Sequence, residues 1–124
     1  MKLSLKDGMR VLWDGMPESV REEIATQGLE LRRLERPQAP IDMAHVFVTS
    51  RADLEAKLSK LLPLLNSAGM IWVSWPKKAS KVPTDVTEDT VREVCLPMQL
   101  VDVKVCSIDD IWSGLKLVIR KEHR

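Results

Sequence analysis

The amino-acid sequence predicts an α/β fold built on a mostly parallel β-sheet. The run Met70–Trp75 is almost wholly apolar, as expected of a central parallel strand that is covered on both faces. Before it, shorter apolar runs alternate with helical patterns, which favours parallel strands joined by helices. After it, residues 101–105 and 115–119 alternate in polarity, which is typical of antiparallel strands with one partly wet face.

Six strands are predicted from these patterns. In chain order they cover residues 9–13, 29–34, 45–49, 70–75, 99–106 and 114–120. The connection between the last two is too short for a parallel crossover, which takes about a dozen residues or more. These two strands are therefore expected to form an antiparallel pair.

Three helices are predicted, over residues 17–27, 51–68 and 87–96. Pro17 suits the first position of a helix, and Gly28 suits the left-handed residue that closes one. Ser50, with an acidic residue three positions later, resembles a capping box at the start of the second helix. Pro63 has no N–H to donate, so the last turn is expected to kink or close early, and Gly69 is expected to end the element.

The remaining segments are interpreted as loops. Residues 36–44, with two prolines, form a connecting loop, and residues 77–83 form a basic loop with three lysines. Residues 1–124 are expected to fold as one domain, a common length for a single core.

Composition excludes several classes of function. The 19 basic and 18 acidic residues leave a net charge of +1, which provides no general field for nucleic acid or an anionic membrane. No segment has a signal-peptide pattern or the ~20 apolar residues that span a bilayer. Cys95 and Cys106 lie among apolar residues and are interpreted as buried, reduced core cysteines, with a metal or redox role as the alternative. A cytoplasmic protein is therefore expected.

The stretch His45–Lys77 resembles the later half of a class I methyltransferase domain. In both, a buried strand, a leucine-rich helix, a glycine turn and a second buried strand follow one another. The resemblance implies a three-layer, Rossmann-like sandwich with strand order 2-1-3-4-6-5. The right-handed crossovers of parallel strands fit this order.

The sequence departs from that family where the family binds adenosylmethionine. The Gly-rich turn of the family corresponds here to residues 13–19, with Gly15 as its one glycine and the bulky Met16 beside it. Glu35, after the second strand, could replace the acidic residue that holds a ribose. About one helix–strand pair of the family is also missing. A degenerate or minimal form of the fold is predicted, with no cofactor.

The C-terminal half is similar to a small bacterial family catalogued only as a domain of unknown function. The similarity rests on Trp72, on Trp75–Lys77 and on Ile108–Leu115. It implies a bacterial, cytosolic protein. It implies no activity, because none is assigned to the family.

One candidate ligand pocket is predicted, at the carboxyl ends of the strands, where open α/β sheets bind ligands. It combines Asp14, Gly15, Ser50, Arg51, Lys77 and Lys78. The cationic side chains flank the start of the second helix, whose free N–H groups favour an anion. A small anionic ligand such as a phosphate or nucleotide is one interpretation, and solvated loop charges are the other.

Other polar residues are interpreted as structural. Asp109 and Asp110 suit a turn, although paired carboxylates could also share a proton or help to bind a cation. His45 begins a buried strand and has no partner at triad or ligand spacing. Trp112 is predicted to be partly exposed. No metal site and no catalytic residue are assigned.

The leading hypothesis is a small non-catalytic binding or regulatory domain, because an α/β core is present without an intact cofactor loop or a reactive pair. The alternative from another class is an enzyme or binder that acts on a phosphorylated or nucleotide ligand. A third is a structural homodimer, formed through a strand edge or the Trp112 turn. The partner is left unknown, and monomer and homodimer both stay open.

Overall fold

A computed structural model of the chain describes residues 3–123. The main elements are β1 (Arg10–Asp14), α1 (Glu18–Ala25), β2 (Arg32–Leu34), β3 (Ile41–Phe47), α2 (Arg51–Leu61), β4 (Leu65–Pro76), α3 (Glu88–Cys95), β5 (Leu100–Ser107) and β6 (Trp112–Ile119). Within this described range, no helix has the length and apolar character needed to cross a bilayer.

The six strands form one sheet in the order β2-β1-β3-β4-β6-β5. The first four strands pair in parallel, and β6 is antiparallel to both of its neighbours. The predicted strand order and the predicted antiparallel pair are both confirmed. The mixed sheet follows from connection length, since helices join the parallel strands and a tight turn joins β5 to β6.

The sheet is the middle layer of a three-layer sandwich. On one face α2 and α3 contribute buried residues such as Leu58 and Val91. On the other face α1 contributes Ile24. Trp75 belongs to the first of these cores and Trp72 to the second, as expected for two residues three positions apart on a strand.

The prediction of a loop over residues 36–44 is wrong at its C-terminal end, because β3 begins at Ile41. The side chains of Ile41 and Met43 are both completely buried. Met43 pairs with Val11 on one side and with Met70 on the other. Burial between two neighbouring strands therefore outweighs the turn preference of the two prolines, which both precede the strand.

The helix predicted over residues 51–68 ends at Leu61, and Pro63 lies in a single 3-10 turn. The early closure agrees with the missing N–H of proline. The prediction that Gly69 ends the helix is wrong, because β4 already begins at Leu65 and continues through the glycine.

The second strand is also shorter than the predicted 29–34. The N–H of Glu30 donates to the carboxylate of Asp7, and its carbonyl accepts from the N–H of Gly8. These bonds to the N-terminal segment replace ladder bonds to β1. Gly28 has φ +67° and closes α1 in the predicted left-handed conformation. The limits of β1, α1, α3, β5 and β6 lie within two residues of the predicted ones.

Neither edge of the sheet is well suited to pairing with a further strand. β2 has three residues, of which Arg32 and Arg33 are exposed. On β5 the register to β6 shifts between Asp102 and Lys104, so that Val103 forms a bulge. Short length, charge and bulges all discourage edge-to-edge association.

Candidate functional site

The topological switch point of this sheet lies between β1 and β3, which are neighbours in space but are separated along the chain by α1 and β2. Asp14 ends β1 and Phe47 ends β3. Ligands of open α/β sheets bind in the crevice outside such strand ends. The crevice between Asp14 and Phe47 is therefore the position at which this fold would hold a cofactor.

A lysine of α2 occupies this crevice. The Nζ atom of Lys57 lies 3.0 Å from a carboxylate oxygen of Asp14 and 3.3 Å from one of Asp53. It also donates to the backbone carbonyl of Phe47 at 3.3 Å. The three N–H groups of the ammonium thus have three acceptors. Lys57, with a side chain that is 21% exposed, ties the ends of β1 and β3 to α2.

The turn that follows β1 lies directly against β3. Gly15 has φ +72°, and a Cβ atom placed on it would lie 3.4 Å from the carbonyl oxygen of Phe47. The same Cβ would lie 4.0 Å from the Nζ atom of Lys57. The Phe47 ring stacks on His45 at 4.4 Å and meets Trp112 edge-on at 5.0 Å. Gly15 is therefore in ordinary van der Waals contact with the end of β3, beside the ammonium group of Lys57.

Ser50 and Arg51 lie at the start of α2, as predicted, but two of the backbone N–H groups there, those of Arg51 and Asp53, are already bonded. The hydroxyl of Ser50 accepts from the N–H of Asp53 at 3.1 Å. The carboxylate of Asp85 accepts from the N–H of Arg51 at 2.7 Å. An internal carboxylate thus occupies the end of the helix that was expected to attract an external anion.

The side chain of Arg51 is engaged as well. Its guanidinium donates to Glu55 at 3.1 Å and to Glu93 at 2.8 Å. The hydrogen bond to Glu55 and then the one to Glu93 raise the pKa of Arg51. An anionic ligand would have to compete with both carboxylates for this cation.

The two lysines of the predicted pocket have different surroundings. The ammonium group of Lys77 donates to the hydroxyl of Ser107 at 2.6 Å, and its backbone N–H donates to the carbonyl of Ile111 at 2.7 Å. Lys77 is thereby bound to the β5–β6 turn. Lys78 is exposed, and among residues 3–123 its ammonium has neither a hydrogen bond nor an ion pair.

The six predicted pocket residues therefore separate into two groups. The first, linked through Lys57 and Asp53, contains Asp14, Gly15, Ser50 and Arg51. The second contains Lys77 and Lys78. Within residues 3–123 no hydrogen bond or ion pair joins the two groups.

A cavity of about 320 Å³ opens near the second group, at the carboxyl end of β4. It is lined by Trp75, Pro76, Lys78, Thr84, Val86 and Thr87. Trp75 and Val86 are part of the core between the sheet and α3, so the floor of the cavity is continuous with that core. The sequence did not reveal this cavity because it forms only where residues 84–87 fold back over the end of β4.

His45 and Ser74 form a buried polar pair on the other face of the sheet. The Nε2 atom of His45 lies 2.6 Å from the Oγ atom of Ser74, and both side chains are completely buried. Burial lowers the pKa of His45 to about 3, so the imidazole is neutral. A substrate cannot reach either group, and the pair is structural, as expected for His45.

The acidic turn before β6 is also structural. One carboxylate oxygen of Asp109 accepts from the N–H groups of Ile111 and Trp112, each at 2.8 Å. This is the turn-forming role that the sequence favoured for this residue. Within residues 3–123 no three His, Cys, Asp or Glu side chains come together in a way that could hold a metal ion.

Sequence reasoning missed Lys57 and Asp85. The sequence contains a weak indication for Lys57, because it lies four residues after Asp53 and the two side chains are therefore expected to meet on one helix surface. Asp85 has none, since it lies in a loop and meets Arg51 only in the folded protein.

No protein-family model matches the sequence, and no curated protein matches it either. Solved structures do resemble it in fold. A SAM-dependent methyltransferase from Aquifex aeolicus aligns with a TM-score of 0.62 and 15% identity, over 94% of this chain and 85% of that one. The ribosomal protein L11 methylase from Lactobacillus delbrueckii subsp. bulgaricus aligns with a TM-score of 0.59 and 12% identity, over 96% and 73% of the two chains.

Fibrillarin from Aeropyrum pernix, solved with natively bound S-adenosyl-L-methionine, aligns with a TM-score of 0.59 and 12% identity, over 91% of this chain and 67% of fibrillarin. Identities this low establish a shared architecture and nothing about chemistry. The chain has the Rossmann-like fold of class I methyltransferases.

Proposed function

We propose that this chain is a non-catalytic binding or regulatory domain that keeps a methyltransferase-like fold without its methyl-transfer chemistry. The observation that carries the proposal is the position of Lys57 in the switch-point crevice, 3.0 Å from Asp14 and 3.3 Å from the carbonyl of Phe47. A cofactor in this crevice would have to displace Lys57. The displacement would leave the Asp14 carboxylate and the Phe47 carbonyl without their donor, which costs free energy.

The residues with reactive side chains add to this argument. Ser74 and His45 are close enough to act as nucleophile and base, but both are completely buried. Burial, and after it the charge of Asp102, raise the pKa of Cys95 to about 11, so its thiol is poorly nucleophilic near neutral pH. None of these three side chains is accessible to a substrate.

The two alternative functions have less structural support. A phosphate or nucleotide at the start of α2 would face the carboxylate of Asp85, and it would compete with Glu55 and Glu93 for Arg51. A homodimer through a strand edge would have to pair either the short, arginine-rich β2 or the bulged β5.

The proposal is tested by thermal unfolding of the purified protein with S-adenosylmethionine and S-adenosylhomocysteine. A ligand at a hundred times its dissociation constant adds about 2.7 kcal/mol, which for a domain of this size raises the midpoint by roughly 8–15 °C. We expect no shift with either compound, and no movement of the Gly15 amide resonance in a ¹H–¹⁵N spectrum. A raised midpoint together with a shifted Gly15 resonance would overturn the proposal.

A further inference from the structure

We infer that the cavity at the carboxyl end of β4 is a binding site for a small planar carboxylate, a flat apolar molecule with one carboxylate group. The inference rests on the proposed function and names the ligand class that such a binding domain would take. The cavity lies on the α3 face of the sheet and is separate from the crevice filled by Lys57.

The apolar part of the ligand is indicated by the floor of the cavity. Trp75, which is 7% exposed, presents the one large aromatic surface there, and Pro76 and the 2% exposed Val86 complete an apolar wall. A volume of about 320 Å³ is at the lower end of the range of about 300–1,000 Å³ that small-molecule sites occupy. A single flat ring that lies against Trp75 is compatible with this volume.

The hydroxyl groups of the lining are already used inside the protein. Thr84 donates to the carbonyl of Thr49 at 2.7 Å and accepts from the N–H of Val86 at 3.0 Å. Thr87 accepts from the N–H of Thr90 at 3.3 Å in the capping box of α3. These two threonines stabilise the wall and have little capacity left for a sugar-like, many-hydroxyl ligand.

Two donors of the lining remain without a partner. Among residues 3–123 no acceptor bonds to the indole N–H of Trp75 or to the ammonium of Lys78. The Nε1 atom of Trp75 is not one of the fully buried atoms without a partner, so its N–H is open to solvent and can donate to a ligand oxygen. Lys78 is also the one charged residue of the lining, so the ligand group that it favours is anionic. A carboxylate supplies both an acceptor and a negative charge.

The acidic residues at the start of α3 do not cancel this charge. Glu88 lies 2.6 Å from Arg92 and Asp89 lies 3.6 Å from it, so both carboxylates are paired within the helix. Asp85 is likewise engaged by the N–H of Arg51. Lys78 is therefore the cation that a ligand in the cavity would meet.

Both walls of the cavity are held in place before any ligand arrives. On one side the hydroxyl of Thr84 and the backbone N–H of Asp85 donate to the carbonyl of Thr49, at 2.7 and 3.3 Å. On the other side Lys77 is bound to Ser107 and Ile111. A preformed site loses little conformational entropy on binding, which favours a small ligand with few contacts.

The test is a ¹H–¹⁵N titration with benzoate and with indole-3-carboxylate, and benzamide serves as the uncharged control. We expect saturable movement of the Trp75 indole resonance with the two carboxylates. The Trp72 indole is the internal reference, because it is completely buried and already donates to the carbonyl of Leu3 at 3.0 Å. Its resonance should stay in place. A Trp75 resonance that no carboxylate moves would overturn the inference.

Two matched variants test the charge. Lys78→Met should weaken benzoate binding about three- to fivefold, the size expected for a partly exposed ion pair, and should leave benzamide unchanged. Lys81→Met removes an exposed lysine that does not line the cavity, and should leave benzoate binding unchanged. Equal binding of benzoate and benzamide, or equal effects of the two variants, would overturn the assignment of Lys78.

The same spectra separate this inference from the proposed function. Failure of the proposed function appears as movement of the Gly15 amide with S-adenosylmethionine, at the end of β1. Failure of the carboxylate site appears as an unchanged Trp75 indole with benzoate, at the end of β4. Each resonance reports on its own site.

Discussion

The Nε2 atom of His45 and the Oγ atom of Ser74 lie 2.6 Å apart on neighbouring parallel strands, both out of reach of solvent. Burial lowers the pKa of the imidazole to about 3, whereas an unfolded histidine titrates near 6.5. The Nδ1 atom of the ring has no partner within residues 3–123. The folded protein therefore binds the proton far more weakly than the unfolded chain does.

Stability should consequently fall with acid. Above about pH 6.5 the histidine is neutral in both states, and its contribution is fully present. As the pH falls from there towards 3, only the unfolded chain takes up the proton, and the free energy of unfolding drops by up to about 1.4 kcal/mol per pH unit. Below the folded pKa the loss from this group stops. Urea unfolding at a series of pH values measures the slope.

The control is the double variant His45→Leu/Ser74→Ala, which removes both polar partners and leaves no buried group unpaired. Carboxylates elsewhere titrate in both proteins, so the difference between the two slopes isolates His45. Identical slopes for the wild type and the double variant between pH 6 and 4 would contradict the prediction.

The strand order was implied by the resemblance to class I methyltransferases, whereas the character of the individual strands could be predicted from local features of the sequence. The apolar run around Trp72 marks a strand buried on both faces, and the short connection before Trp112 requires an antiparallel pair. The start of β3 could not be predicted in the same way. Ile41 directly follows Pro40, in a segment that also contains Pro37, and its pairing with Leu65 makes it a strand residue.

The candidate site depends on contacts that local patterns do not contain. Arg51 and Lys77 were predicted from their places at strand and helix ends, which the structure reproduces. Arg51 is paired with Glu93, and Lys77 donates to the hydroxyl of Ser107; both partners are distant in sequence. The position of Lys57 in the crevice likewise follows from the packing of α2 beside the ends of β1 and β3. Side-chain partners of this kind follow from the tertiary fold.

Gly69 and Gly114 should respond differently to alanine. A Cβ on Gly69 would meet the backbone carbonyl oxygens of Asn66 and Asp42 at 2.9 and 3.0 Å, and neither can move without shifting a strand. A Cβ on Gly114 would meet only side-chain atoms, Cδ1 and Cγ1 of Ile108 at 2.9 and 3.1 Å and Oγ of Ser74 at 3.3 Å, which can shift more easily than backbone atoms. We expect Gly69→Ala to cost about 2–3 kcal/mol and Gly114→Ala about 1–2 kcal/mol, measured by urea unfolding.

The matched control for these glycine variants is Ser67→Ala, at an exposed position, which should change stability by less than about 0.5 kcal/mol. Equal losses for Gly69→Ala and Gly114→Ala would show that the backbone near Asn66 yields as easily as a side chain, contrary to the argument.

The two cysteines should differ in reactivity. Cys95 is completely buried, and burial raises the pKa of its thiol to about 11, so the thiolate is scarce at neutral pH. The prediction of a buried thiol is wrong for Cys106, which is only partly buried. We expect an aromatic disulfide reagent at pH 8 to modify one thiol per folded chain quickly, and the second only after unfolding in denaturant. In Cys106→Ser the fast phase should disappear, and its persistence would mean that Cys95 is accessible.

Replacing Lys57 by methionine should lower the stability of the protein, because methionine keeps the apolar part of the side chain but has no ammonium group. The ammonium bonds to Asp14 and to the carbonyl of Phe47 would be lost. The carboxylate of Asp14 is 40% exposed and can be hydrated in the variant, so we expect a loss of about 1 kcal/mol, not the larger cost of a fully buried charge. Urea unfolding measures the loss.

The matched control is Lys60→Met, at an exposed position on the same helix, where stability should change by less than about 0.5 kcal/mol. Asp14→Asn in the Lys57→Met background should add little, because the partner of Asp14 is already gone. If the losses from Lys57→Met and Asp14→Asn were additive, the two residues would contribute to stability independently. The ion pair between them would then make no contribution to the free energy of unfolding.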